Sequence, residues 1–172
     1  MALAWRTAPT QIRKTAAAQE PDMLEAGDPA PDVSAPNQSG ETVTPKFDDP
    51  TVVYFYPEDF TGGCTIEARE FQDVLPQFRE VDVTVYGVSM DGVQTHDEFA
   101  EEEGLRYDLL ADPDGTVAEA FGLDVSSGWT DRRTFVLSNG EVKAVYDPDM
   151  ADPSGHAEEV LNDTRNEYVQ SG

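Results

Sequence analysis

Hydrophobic and polar positions follow two different periodicities early in the chain. Residues 51–56 form a continuous run of β-branched and aromatic residues, and such a run predicts a buried strand. The following segment carries an apolar stripe at helical spacing, which predicts an amphipathic helix. The stripe consists of Phe71, Val74, Leu75 and Phe78. Pro76 lies inside this pattern, so the helix is expected to kink or to be shortened near its end.

The rest of the chain continues to alternate between strand and helix patterns. Strands are predicted at 81–89 and 107–110, and helices at 95–103, 117–121 and 154–168. Two further strands, 134–137 and 142–146, flank an Asn-Gly turn and predict a β-hairpin. Because strands alternate with helices before the hairpin, the pattern predicts an α/β fold. Its central mixed sheet should carry helices on both faces.

The domain organisation follows from length and from a change in composition near the start. A chain of 172 residues fits one compact domain, and we find no internal repeat and no linker. The first 22 residues are rich in Ala and Thr and lack the continuous apolar run of a signal peptide. We therefore expect residues 1–22 to be a disordered extension or an upstream start-codon assignment, and residues 23–172 to form a single domain.

Charge narrows the range of partners and environments. The chain has 35 acidic and 11 basic residues, a net charge of −24, and such a surface repels nucleic acid and anionic membranes. No apolar stretch approaches the roughly 20 residues that span a bilayer, so we predict a cytoplasmic protein. Many carboxylates with few lysines are typical of proteins from cells that keep molar salt, where screening lengths fall to about 3 Å. We expect desalting to destabilise the fold.

The candidate chemistry centres on Cys64, which is the only cysteine and follows the first core strand. A single cysteine excludes an internal disulfide and a cysteine-rich zinc site, and the two histidines argue against a histidine-built metal centre. A helix N-terminus stabilises a thiolate by about 0.3 to 1 kcal/mol, whereas activation requires roughly 2 kcal/mol. A nearby cation is therefore expected, and Arg132 and Arg133 are the candidates. The alternatives are an inert buried cysteine and two surface arginines.

The residues around Cys64 form a motif, Pro57-x-x-x-Thr61-x-x-Cys64, with Glu67 three residues further on. This motif resembles the active site of the peroxiredoxins. Further blocks extend the resemblance over nearly all of the chain from residue 23, and they look most similar to the bacterioferritin comigratory protein branch. These blocks are 27–32, 86–91, 109–113 and 132–137.

The resemblance implies a thioredoxin-like fold with an added N-terminal hairpin and a peroxidase that needs no metal or organic cofactor. By position in the motif, Cys64 would attack a hydroperoxide and become a sulfenic acid. Thr61 would hydrogen-bond the peroxide and the thiolate, and Pro57 would shield the cysteine from water. The family position selects Arg132 rather than Arg133 as the cation beside the thiolate. Glu67 would hold that arginine in place.

The chain departs from the branch pattern at one position. Many members carry a second cysteine five residues after the first, where this sequence has Arg69. An external thiol, or Cys64 of a second subunit, must then reduce the sulfenic acid, so the protein is expected to act as a monomer or a homodimer. Two other functions remain open, a disulfide exchanger and a non-catalytic binding protein or holdase with the same fold.

The site residues also have ordinary structural interpretations when each is taken alone. Thr61 is a common type of helix cap, Pro57 a common turn residue, and Glu67 one more surface acid in an acidic chain. His96 is expected to be a surface or packing residue of its helix rather than a base. The joint spacing of the motif favours the catalytic interpretation of the other residues.

Overall fold

A computed structural model of the protein describes residues 23–168. The predicted disordered extension, residues 1–22, lies outside the described residues. The first element is a short antiparallel hairpin, in which β1 (Ala35–Pro36) pairs with β2 (Thr42–Val43). This hairpin confirms the N-terminal addition that the family resemblance implied.

A five-stranded mixed sheet forms the centre of the described part of the chain. Its strands are β3 (Thr51–Phe55), β4 (Thr84–Ser89), β5 (Asp108–Ala111), β6 (Arg133–Ser138) and β7 (Glu141–Tyr146). Their spatial order is β5-β4-β3-β6-β7, so β3 is the central strand. β3, β4 and β5 run parallel, while β6 is antiparallel to both of its neighbours. The predicted mixed sheet is thereby confirmed.

Within residues 23–168, four α-helices connect and follow these strands. They are α1 (Gly62–Glu80), α2 (Val93–Glu103), α3 (Thr116–Ala120) and α4 (His156–Asp163), and a π-helical turn (Thr164–Tyr168) extends α4. The predicted helices and their order are therefore present, with ends shifted by a few residues. Among the residues that the structure describes, no helix is long and apolar enough to cross a membrane.

The helices cover both faces of the sheet, and alternate residues of β3 divide the core between the two faces. Val52 and Tyr54 point towards α1, α2 and α4 and join a cluster that includes Cys64. Val53 and Phe55 point to the opposite face and pack with α3 and the N-terminal segment. The prediction of helices on both faces is confirmed.

Two features predicted around α1 differ from the structure. Of the kink or shortening expected at Pro76, the shortening is not found, because the helix continues to Glu80. Proline removes one backbone hydrogen bond, yet Phe78 is completely buried beyond it, and this packing favours continuation of the helix. The strand predicted from residue 81 begins at Thr84, because Val81 caps α1 and Asp82 adopts a left-handed backbone with φ of 59°.

Candidate active site

Cys64 lies after the central strand, near the start of α1, which is the longest helix within residues 23–168. β3 ends at Phe55, a loop follows, and Cys64 is the third residue of α1. Its amide therefore belongs to the first turn, whose N–H groups have no partner within the helix and carry the positive end of the helix dipole. Only 1% of the residue is exposed. A negative charge on Sγ would be stabilised by this helix terminus while bulk water is largely excluded.

A buried guanidinium lies beside the thiol. Nη1 of Arg132 is 3.6 Å from Sγ of Cys64 and donates a hydrogen bond of 2.7 Å to Oε1 of Glu67. Arg132 is the residue immediately before β6, and Glu67 lies in α1, one turn after Cys64. Both residues are 1% exposed. Arg133 instead pairs with Asp147 at 2.8 Å. Thus the structure places Arg132, and not Arg133, next to Cys64.

The loop after β7 holds the other side of this guanidinium. Nε of Arg132 donates to the backbone oxygen of Asp149 at 3.1 Å, and Nη2 donates to that of Met150 at 2.5 Å. The backbone N–H of Arg132 also points to Sδ of Met150 at 3.2 Å. Two other parts of the chain, α1 and the loop after β7, therefore fix the orientation of the cation.

Gly63 permits this close approach, and the sequence prediction had not singled it out. A Cβ at this position would lie 2.8 Å from Nη2 of Arg132 and 2.9 Å from the backbone oxygen of Ala151. Any larger residue would separate α1 from the guanidinium or from the loop. The Gly-Gly pair immediately before Cys64 was the available signal, because glycine at a helix start is a poor helix former and needs another reason.

Glu67 is buried with one oxygen lacking a hydrogen bond. Oε1 accepts from Arg132, whereas Oε2 has no hydrogen-bond partner within the described residues and lies 4.0 Å from Nε2 of His156. Burial raises the pKa of Glu67 to about 7, and the charge of Arg132 opposes this rise. Burial, together with Arg132, lowers the pKa of His156 to about 4. Neutral His156 then pairs with the hydroxyl of Thr134 at 2.8 Å.

The two motif residues before α1, Pro57 and Thr61, are more exposed than Cys64. Thr61 occupies the N-cap position, but its hydroxyl makes no capping bond and donates instead to the backbone oxygen of Glu58 at 2.9 Å. The hydroxyl oxygen keeps its acceptor lone pairs, and a rotation of the side chain would redirect its hydrogen. Thr61 is exposed and Pro57 is half-buried. Of the five predicted site residues, Cys64, Arg132 and Glu67 are therefore brought into direct contact.

Arg69 and His96 have structural partners away from the thiol. Arg69 is an exposed residue of α1 that forms an ion pair with Glu103. His96 is completely buried and hydrogen-bonds Asp59 and the backbone of Leu110. It is thus a packing residue of α2 and not a surface residue.

The arrangement of Cys64, Arg132 and Glu67 can hold a sulfur anion and can stabilise a second negative charge that develops near Arg132.

Comparison with known proteins places this geometry in context. Residues 26–145 match the model of the AhpC/TSA family. The chain is 35% identical over 149 residues to peroxiredoxin Bcp of Escherichia coli K12, covering 81% of this chain and 94% of that protein. Among solved structures it resembles peroxidoxin BcpB of Mycobacterium tuberculosis, with a TM-score of 0.77 and 33% identity over 86% of this chain and 99% of that one. It also resembles the bacterioferritin comigratory protein of Xanthomonas campestris, with a TM-score of 0.73 and 28% identity over 88% and 100%.

Proposed function

Since the chain belongs to the AhpC/TSA family and is a thiol-dependent peroxidase of the peroxiredoxin Bcp kind, we propose that Cys64 is its peroxidatic nucleophile. The observation that carries this proposal is the 3.6 Å approach of Nη1 of Arg132 to Sγ in a buried site. Because a guanidinium keeps its charge at all physiological pH values, it favours the thiolate throughout the working range. The helix N-terminus adds a smaller contribution of the same sign.

The proposed first step is a displacement at oxygen. The thiolate of Cys64 attacks the terminal oxygen of the hydroperoxide, so that an S–O bond forms as the O–O bond breaks. The bonding electron pair leaves with the second oxygen, which becomes an alcohol or water after taking up the proton released when the thiol ionised. Sulfur is oxidised to a sulfenic acid, and the peroxide is reduced. Arg132 stabilises first the thiolate and then the charge on the departing oxygen.

The other motif residues have supporting roles in this proposal. Glu67 holds the guanidinium through the 2.7 Å hydrogen bond to Nη1. Thr61 orients the peroxide through its hydroxyl, and Pro57 limits the access of water. The Xanthomonas campestris relative is described for its alkyl peroxide reduction activity. We therefore include alkyl hydroperoxides with hydrogen peroxide among the substrates.

The second half of the cycle requires a thiol from another molecule. A first external thiol attacks the sulfenic sulfur, water leaves, and a mixed disulfide remains on Cys64. A second thiol then releases Cys64 and forms the external disulfide. The sequence contains no other cysteine that could perform the first of these steps within the chain. We propose a small thiol or a redoxin as the reductant of a monomeric or homodimeric enzyme, with Cys64 of a second subunit as the alternative.

Residues 23–172 are proposed to form the catalytic domain of an enzyme that works in a cytoplasm with molar salt. The net charge of −24 supports this environment, because high salt screens the repulsion between carboxylates. The thermal unfolding midpoint should rise between dilute buffer and molar salt. An unchanged midpoint would contradict the proposed salt requirement.

Replacement of the nucleophile tests the proposed role of Cys64. Cys64→Ser should abolish peroxide consumption. The neighbouring control Thr65→Ser keeps a hydroxyl at position 65 and should consume peroxide at the wild-type rate. Intact mass after one equivalent of peroxide should show one added oxygen at Cys64 or a Cys64-linked dimer. An unmodified wild-type mass would favour the non-catalytic binding protein instead. Full activity in Cys64→Ser would overturn the assignment of Cys64 as the nucleophile.

A further inference from the structure

A buried hydrogen-bonded contact connects the loop before Cys64 to α2. Asp59 lies in the loop between β3 and α1, and its Oδ2 is 2.7 Å from Nδ1 of His96. Both side chains are completely buried. Oδ1 of Asp59 accepts a hydrogen bond of 2.6 Å from the hydroxyl of Tyr56. The mechanism proposed above gives none of these three side chains a role.

Both ring nitrogens of His96 have a hydrogen-bond partner. Nε2 lies 3.0 Å from the backbone oxygen of Leu110, which can only accept, so Nε2 carries a hydrogen. The contact between Nδ1 and Oδ2 of Asp59 therefore contains one further hydrogen, whichever atom holds it. No nitrogen of His96 is left for a cation, although Asp91 brings a third ligand-type atom close to the pair. The cluster thus acts as a fixed support within this fold.

The backbone of the same loop is held at two more points. The N–H of Asp59 donates to Oδ2 of Asp91 at 2.8 Å, and Asp91 in turn accepts from the hydroxyl of Ser89 at 2.5 Å. Phe60 has a left-handed backbone with φ of 68°, and its ring packs edge-on against Phe99 of α2 at 5.1 Å. A bulky residue with positive φ persists only where its surroundings impose that conformation.

We propose that His96 is a positioning residue for the peroxide reaction, acting through its Nδ1 contact with Asp59. By holding Asp59, His96 fixes the loop that carries Pro57 and Thr61 relative to Sγ. The thiolate itself is stabilised from the other side, by Arg132 and the start of α1. The inference rests on the proposed function, because it assigns His96 to the orientation of the peroxide and not to the ionisation of Cys64.

Two substitutions separate the two hydrogen bonds of the imidazole. In His96→Asn, the amide nitrogen occupies the place of Nδ1 and preserves the hydrogen bond to Asp59. In His96→Gln, the amide nitrogen occupies the place of Nε2 and preserves the hydrogen bond to Leu110 instead. Both variants shorten or reshape the same buried side chain, so each serves as the packing control for the other.

The readout is the ratio of two second-order rate constants of Cys64, one with hydrogen peroxide and one with iodoacetamide. Alkylation requires only an accessible thiolate, whereas peroxide reduction also requires an oriented substrate. A misplacement of about 1 Å can cost up to about 100-fold in rate. We expect His96→Gln to lower the ratio about tenfold and His96→Asn to leave it within about twofold of wild type.

Equal ratios in wild type and both variants would reduce His96 to a purely structural residue and overturn the proposal. An equal fall in both variants would overturn the assignment to the Nδ1 contact. If His96→Gln fails to fold, Tyr56→Phe takes its place, because it removes one hydrogen bond to the Asp59 carboxylate and keeps the aromatic ring. Tyr56→Phe should lower the ratio severalfold. An unchanged ratio in Tyr56→Phe would also overturn the proposal. Val142→Ala, in the core of the opposite face, is the control for general destabilisation. If wild-type Cys64 itself does not react with peroxide, the proposed function fails as well.

Discussion

The two faces of the central sheet differ in how they use aromatic residues. On the face beneath α1, Tyr54 stacks on Phe71 at 4.5 Å and its hydroxyl meets that of Tyr107 at 2.6 Å. Tyr107 also donates to the backbone oxygen of Ala68, one turn after Cys64. On the opposite face, Phe121 packs against Phe55 and Phe135 at 5.1 and 4.8 Å without any polar atom in the ring.

This contrast shows how one sheet can supply both stability and a precise site. Apolar rings stabilise by burial and tolerate small shifts, because their contacts have no required direction. Buried hydroxyls, carboxylates and a guanidinium must each find a partner at a defined distance and angle, which fixes the positions of the groups around them. We therefore expect changes on the apolar face to alter the free energy of unfolding, and changes on the polar face to alter the chemistry of Cys64.

The largest expected effect on stability comes from the apolar face. Phe121→Ala should lower the free energy of unfolding by about 3 to 5 kcal/mol, because it leaves a cavity among completely buried rings. Equilibrium urea unfolding at constant molar salt measures this loss. The peroxide rate constant per folded molecule should remain at the wild-type value. A fall of more than about threefold in that constant would mean that the two faces are not independent.

The next largest effect is expected from the cation on the polar face. The double variant Arg132→Gln with Glu67→Gln removes both charges and so avoids leaving an unpaired buried ion. Its peroxide rate constant should fall about 100- to 1000-fold, which corresponds to about 2.7 to 4 kcal/mol of lost stabilisation. Stopped-flow kinetics of Cys64 oxidation provide the measurement. The single variant Glu67→Gln keeps the guanidinium and removes only the carboxylate that holds it. A smaller loss in that variant is expected, and an equal loss would mean that the charge of Arg132 acts only while Glu67 orients it.

The sequence predicted the parts of this site that depend on local pattern. The strand before Cys64 and the helix after it follow from a β-branched run and an apolar stripe, and both are present. The choice of Arg132 over Arg133 came from the family resemblance, because adjacent arginines have the same local pattern. The structure distinguishes them by direction, since successive residues entering a strand point to opposite faces.

Other features of the site depend on contacts between distant parts of the chain. The backbone oxygens of Asp149 and Met150 accept hydrogen bonds from Arg132. They belong to a loop without hydrophobic periodicity, so the sequence pattern does not predict these contacts. His96 lies in a helix rich in acidic residues. Because such a composition is typical of a surface helix, the burial of His96 could not be predicted from the sequence. The direction of the Thr61 hydroxyl is a side-chain rotamer, which sequence does not determine.

The smallest expected effect is a change in how stability depends on pH, and it again separates the faces. Burial raises the pKa of Glu67 from 4.5 to about 7, so the folded state binds this proton more tightly than the unfolded state. The contribution of Glu67 is therefore fully present below pH 4.5 and is lost as the pH rises through about 7. Each pKa unit corresponds to about 1.4 kcal/mol, which gives about 3 to 4 kcal/mol in total, of which about 2 to 3 kcal/mol is lost between pH 5 and pH 8. Urea unfolding at pH 5 and pH 8 should show wild type losing more stability than Glu67→Gln over this interval. The exposed control Glu158→Gln should follow wild type, and a parallel loss in Glu67→Gln would show that the buried carboxyl does not titrate in this range.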